Sequence, residues 1–119
     1  MRPILAAVVV LASIACQDVT AAASAPVHVV LTPKPGSAAC VTATPEPASV
    51  RVKQGINFVN QSSVPITIVL REDNRPLVSV APSDTSGAIK FREAGIYQYY
   101  SQACGSGVAE LHTLAVTIN

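Results

Sequence analysis

From residue 27 onward, apolar positions recur in short runs broken by Pro, Gly, Asn and charged residues. No stretch holds a helical period, so the pattern predicts strands and turns. "VHVVLT" is ended by the Pro/Gly break "PKPGS", and "CVTAT" precedes "PEPAS". "VRVKQG" alternates apolar and polar, which predicts a strand with one wet face. "INFVN" follows Gly55, and "ITIVL" reads as a more fully buried run. "REDNRP" is a turn of charge, Asn and Pro from which "LVSV" returns as a hairpin. "AIKF", "IYQYYS" and "LHTLAVTIN" complete the series. The spacing predicts an all-β domain of seven or eight strands, a sandwich or barrel.

The first residues carry a different pattern. Arg2 precedes the apolar run "ILAAVVVLASIA", which as a helix spans ~18 Å, well short of a ~30 Å hydrocarbon core. That is the pattern of a signal peptide over residues 1–15, so the protein is expected to be exported. "SIAC" resembles a bacterial lipobox in which Cys16 is lipidated, with Ala15 suitable before it and Ser13 smaller than usual. The alternative is an ordinary signal-peptidase cut after Ala23. Small and polar residues over 16–25 predict a flexible tether, followed by one domain over residues 26–119.

Composition narrows the picture further. With Arg2 set aside, seven basic residues face seven acidic ones. The sequence shows no basic cluster, and nucleic acid is not an expected partner. Three cysteines in an exported chain leave one over, and lipidation or cleavage accounts for Cys16. Cys40 and Cys104 then remain as a pair in an oxidising compartment, expected as a disulfide, with two buried thiols as the alternative.

From Val50 onward, four segments resemble the cupredoxins, particularly the plastocyanin-like branch: "VRVKQGINFVNQSSVP", "ITIVLRED", "FREAGIYQYYS" and "LAVTIN". The resemblance implies a Greek-key β-sandwich of cupredoxin type. It also implies a type 1 copper site, with trigonal His₂Cys ligation and a long axial Met. Carried across residue by residue, the strand histidine falls on Ile66 and the loop cysteine on Ser101. The loop histidine falls on Cys104 and the methionine on Ala109. None of these positions holds the expected ligand, so no metal and no cofactor are expected. The alternative is copper held by nonstandard ligands drawn from His28, Cys104 and His112. The ordinary reading of His28 is a strand residue, and that of His112 a wet position near the start of the last strand. A Cys40–Cys104 bridge would pin the former copper loop to an early strand.

Other constellations are weaker. "CGSGVA" lacks the Lys-Ser/Thr of a phosphate loop and the context of a nucleophile elbow. Ser106, His112 and Asp84 form a hydrolytic set on paper only, and Glu72 with Asp73 reads as a solvated turn. Asn60 satisfies an N-glycosylation pattern, relevant only in a eukaryotic secretory pathway. Among the tyrosines, Tyr97 and Tyr99 should face one way and Tyr100 the other. The sequence therefore predicts a non-catalytic binding or structural module of the bacterial periplasm or outer envelope. Its partner would be an envelope protein or a small ligand, and its membrane contact an N-terminal lipid.

Overall fold

The computed structural model describes residues 25–118, so the expected signal peptide and Cys16, with all of the tether but Ala25, lie outside the described residues. The described chain is a two-sheet Greek-key β-sandwich of nine strands with one 3₁₀ turn, Val108–Glu110. In order these are β1 (Val27–Lys34), β2 (Ser37–Thr44), β3 (Ala48–Arg51), β4 (Gly55–Asn60) and β5 (Ile66–Leu70), then β6 (Arg75–Val80), β7 (Ile89–Lys90), β8 (Gly95–Ser101) and β9 (His112–Thr117). One sheet runs β2-β1-β4-β7 and the other β3-β9-β8-β5-β6. Both are mixed, because β1 pairs with β4 and β3 with β9 in parallel.

The apolar runs give nine strands rather than the expected seven or eight, but the strand expected over "VRVKQG" is displaced: β3 begins at Ala48, inside "PEPAS", and ends at Arg51, because 52–54 form the turn into β4. The two shortest, β3 and β7, survive as sheet edges, where pairing on one side suffices. Burial follows the pattern. β3 alternates buried and exposed residues, and β5 is buried except at Thr67. "PKPGS" turns β1 into β2 with Gly36 at φ +84°, a conformation that costs glycine no Cβ clash. Asn74, at φ 51°, turns β5 into β6 and is among the non-glycine residues that tolerate the left-handed region.

Between the sheets lies one core, including Val29, Leu31, Ile56, Phe58, Ile66, Ile68, Tyr99 and Leu114. Phe58 and Tyr99 meet edge to face with centroids 5.4 Å apart, joining the sheets through a favourable aromatic geometry. The core, both sheets and the disulfide all lie within residues 25–118, so this span carries what its folding requires. Among the described residues, no helix is long and apolar enough to cross a membrane.

The fully buried Asn60 closes the far end of β4. Its Nδ2 donates to the carbonyls of Val64, Val80 and Ala81 at 2.9, 3.0 and 3.2 Å, while its Oδ1 accepts from the Ser62 amide at 2.8 Å. A side chain used in this way cannot carry a glycan in the folded domain.

The two ends of the sandwich differ in charge. The strand ends at Arg51, Gly55, Leu70 and Lys90 share one end with the chain start, because the turn over 52–54 joins β3 directly to β4. Arg51, Lys53, Arg71, Arg75, Lys90 and Arg92 all lie there, facing Glu72, Asp73 and Glu93. Lys34 is at the other end with Glu46, Asp84 and Glu110. The sequence shows no basic cluster, yet the topology assembles one from dispersed residues.

Candidate functional site

The end opposite the basic residues holds the positions at which the family resemblance would place copper. Ile66 opens β5 and is buried in the core, where its side chain offers no donor atom. Ser101 ends β8 and pairs across the sheet with Ile68, two residues along the same face from Ile66. Its hydroxyl is buried and donates to the Ala39 carbonyl at 2.7 Å. The Ser62 hydroxyl donates to the carbonyl of the preceding residue, Ala38. Cys104 follows in the turn after β8 and forms a disulfide with Cys40, their Cα atoms 5.0 Å apart. Ala109 lies exposed in the 3₁₀ turn.

Three consecutive residues of β2, Ala38, Ala39 and Cys40, are therefore each tied to the loop end by a different bond. The ties are to Ser62, Ser101 and Cys104. Type 1 copper does not fit this donor set. An alkane, a hydroxyl committed as a donor, a half-disulfide and a methyl group cannot supply a thiolate and two imidazoles.

A different set of ligand atoms does converge. The sulfur atoms of Cys40 and Cys104 and a Glu110 carboxylate oxygen lie within 4.8 Å of one another. Glu110 also accepts from Lys34 at 2.8 Å, an ion pair about a quarter exposed. With the disulfide closed, neither sulfur is a thiolate. His28 is exposed on β1, away from this group. His112 is not at the wet position expected of it but buried, because Glu46 covers it: its Nδ1 lies 3.1 Å from Glu46 Oε1. A carboxylate only accepts, so Nδ1 carries the proton. Glu46 also accepts from the Thr113 amide at 2.7 Å, fixing the start of β9. Glu46, Ala109, Leu111 and His112 line a recess of about 330 Å³.

Tyr99 packs against His112 with ring centroids 5.2 Å apart and the ring planes tilted by 36°. Among the described residues its buried hydroxyl has no hydrogen-bond partner. Burial, and secondarily the Glu46 carboxylate, push its pKa well above the ordinary tyrosine value. Tyr97 and Tyr100 are half-buried, and their hydroxyls donate to Glu93 O and Asn74 Oδ1. The expected facing holds: Tyr97 and Tyr99 both pack with the core, and Tyr100 is on the opposite face.

The set of Ser106, His112 and Asp84 is not assembled, since His112 turns to Glu46 and the Asp84 carboxylate accepts from the Thr85 amide. Glu72 accepts from the Gln98 amide, and Asp73 pairs with Arg75. Sequence reading missed Glu46, Glu110 and Ser62. Glu46 sits in "PEPAS", a segment with turn signals only, and only the path of the chain brings it to His112.

Solved structures place this fold. The chain is similar to a purple cupredoxin from Nitrosopumilus maritimus, at 15% identity over 76% of this chain and 99% of that one, with a TM-score of 0.57. It is also similar to a reduced-state amicyanin variant, at 14% identity over 76% of this chain and 81% of that one, with a TM-score of 0.53. No protein-family model and no curated protein matches the chain. The described domain is cupredoxin-like in fold. None of the positions to which the resemblance assigns type 1 copper ligands, Ile66, Ser101, Cys104 and Ala109, holds the expected residue.

Proposed function

We propose that this protein is an exported, lipid-anchored module of the bacterial cell envelope that keeps the cupredoxin fold without its blue copper site. It acts as a non-catalytic binding or structural domain, with an envelope protein or a small ligand as partner. The observation that carries this reading is the set of covalent and hydrogen-bonded ties at the end where the resemblance would place copper. Cys40–Cys104 and the Ser101–Ala39 bond join the loop end to β2, as a shared metal would join separate strands. The test is a copper titration of the never-reduced protein by calorimetry and visible absorption. No binding and no charge-transfer band are expected. Stoichiometric tight binding would overturn the reading.

The convergence of Cys40, Cys104 and Glu110 favours a second reading, copper handling through nonstandard ligands. A dithiol supplying two electrons and two protons would open the disulfide to two thiols. The thiolates and the carboxylate would then form a partial soft-metal site. Titration of the dithiol-reduced protein with Cu(I), compared with Cys104→Ser, separates the two readings. Binding confined to the reduced wild-type chain supports the second.

A further inference from the structure

We propose that the basic end of the sandwich is a docking surface for anionic phospholipid headgroups. Lys53, Lys90 and Arg92 gather around Phe91: the Lys53 amide donates to the Phe91 carbonyl at 2.9 Å, and Lys90 and Arg92 flank Phe91 in the chain. These four residues line one recess, and an adjoining one of about 360 Å³ adds Arg75 above a floor of Leu70, Leu77 and Ile89. Among the described residues, Lys53, Lys90 and Arg92 make no ion pair, and all three are exposed. Glu93 is the one carboxylate lining either recess.

Two observations favour a membrane over a small anion. The first is where the described chain begins. Gln54 Nε2 donates to the Ala25 carbonyl at 2.7 Å, and Gly55 pairs with Lys90, so the N-terminal segment leaves from the basic end. From Cys16 to Ala25 the chain reaches at most about 30 Å. In the lipid-anchor reading, on which this orientation rests, the basic end is therefore the one nearest the surface. The second is the charge at the opposite end, where Glu46, Asp84 and Glu110 outnumber Lys34. An anionic surface attracts one end, repels the other and leaves the Cys40–Cys104 loop facing outward.

The test is flotation of the chain from residue 25 onward, which lacks Cys16, with vesicles of neutral phospholipid or of neutral phospholipid with about a third phosphatidylglycerol. Binding to the anionic vesicles alone is expected, weakening as salt rises. Lys53→Glu, Lys90→Glu and Arg92→Glu combined should lower partitioning about a hundredfold, while Lys34→Glu leaves it unchanged. Equal flotation with neutral vesicles would overturn the proposal. So would no flotation at all, whether or not inorganic phosphate or duplex DNA binds. Mass spectrometry of the cell-derived protein reads the anchor separately: an unmodified Cys16 overturns the anchor, while anionic flotation still upholds the surface.

Discussion

Ser101 Oγ donates to the Ala39 carbonyl at 2.7 Å, joining the end of β8 to β2 at the position to which the family resemblance would assign the copper cysteine. Reintroducing the sulfur alone should therefore not restore a blue site. Ser101→Cys is expected to remain colourless with Cu(II), since Ile66 still offers no donor and Cys104 stays in its disulfide. It should also lose about 1 kcal/mol of stability, because the Ala39 carbonyl loses its hydroxyl donor. Visible absorption and urea denaturation read the two outcomes, and a charge-transfer band would contradict the first.

The disulfide should be the larger contributor. Cys40 and Cys104 are separated by 64 residues, and closing a loop of that size stabilises by about 4 kcal/mol in the chain-entropy treatment. Replacing both with serine should lower Tm by about 15–30 °C in a domain of this size. An unchanged Tm by calorimetry would show that the bridge has no structural part.

At Asn60 the expected effect depends on pH. Asn60→Asp would aim a buried carboxylate at the carbonyls of Val64, Val80 and Ala81, which now accept from Nδ2. The loss at neutral pH should be about 3 kcal/mol or more. Desolvation and the facing carbonyls would raise the new group's folded-state pKa above its unfolded value. Protonation restores a donor, so the deficit should shrink as pH falls towards about 4. Denaturation across that range measures it, and a deficit independent of pH would contradict the assignment.

Tyr99 gives a dependence at the alkaline end. Burial, with a smaller contribution from Glu46, raises its folded-state pKa above the unfolded value near 10. The resulting stability is fully present below about pH 10 and is lost as pH rises further, because the unfolded chain ionises first. Tyr99→Phe should weaken this alkaline loss. At neutral pH it should be neutral or stabilising by up to about 1 kcal/mol, since the hydroxyl removed has no hydrogen-bond partner among the described residues. Melting curves at both pH values test this, and a variant as alkali-sensitive as wild type would count against it.

The sequence by itself determined most of the strand segments, much of their burial and the lack of the expected residues at the positions the resemblance assigns to copper ligands. Strand alternation and donor chemistry are local properties: the burial of "ITIVL" follows from its side chains, and isoleucine is no ligand in any fold. Cysteine parity pointed to the bridge that the structure contains. Tertiary structure alone decided what the end to which the resemblance assigns copper is built from. The Ala38, Ala39 and Cys40 segment becomes a partner of Ser62, Ser101 and Cys104 only through sheet topology. The same holds for Glu46 beside His112, and for the basic end. Lys53, Arg75 and Lys90 are far apart in sequence and become neighbours because antiparallel and crossover connections return the chain repeatedly to the same end of the sandwich.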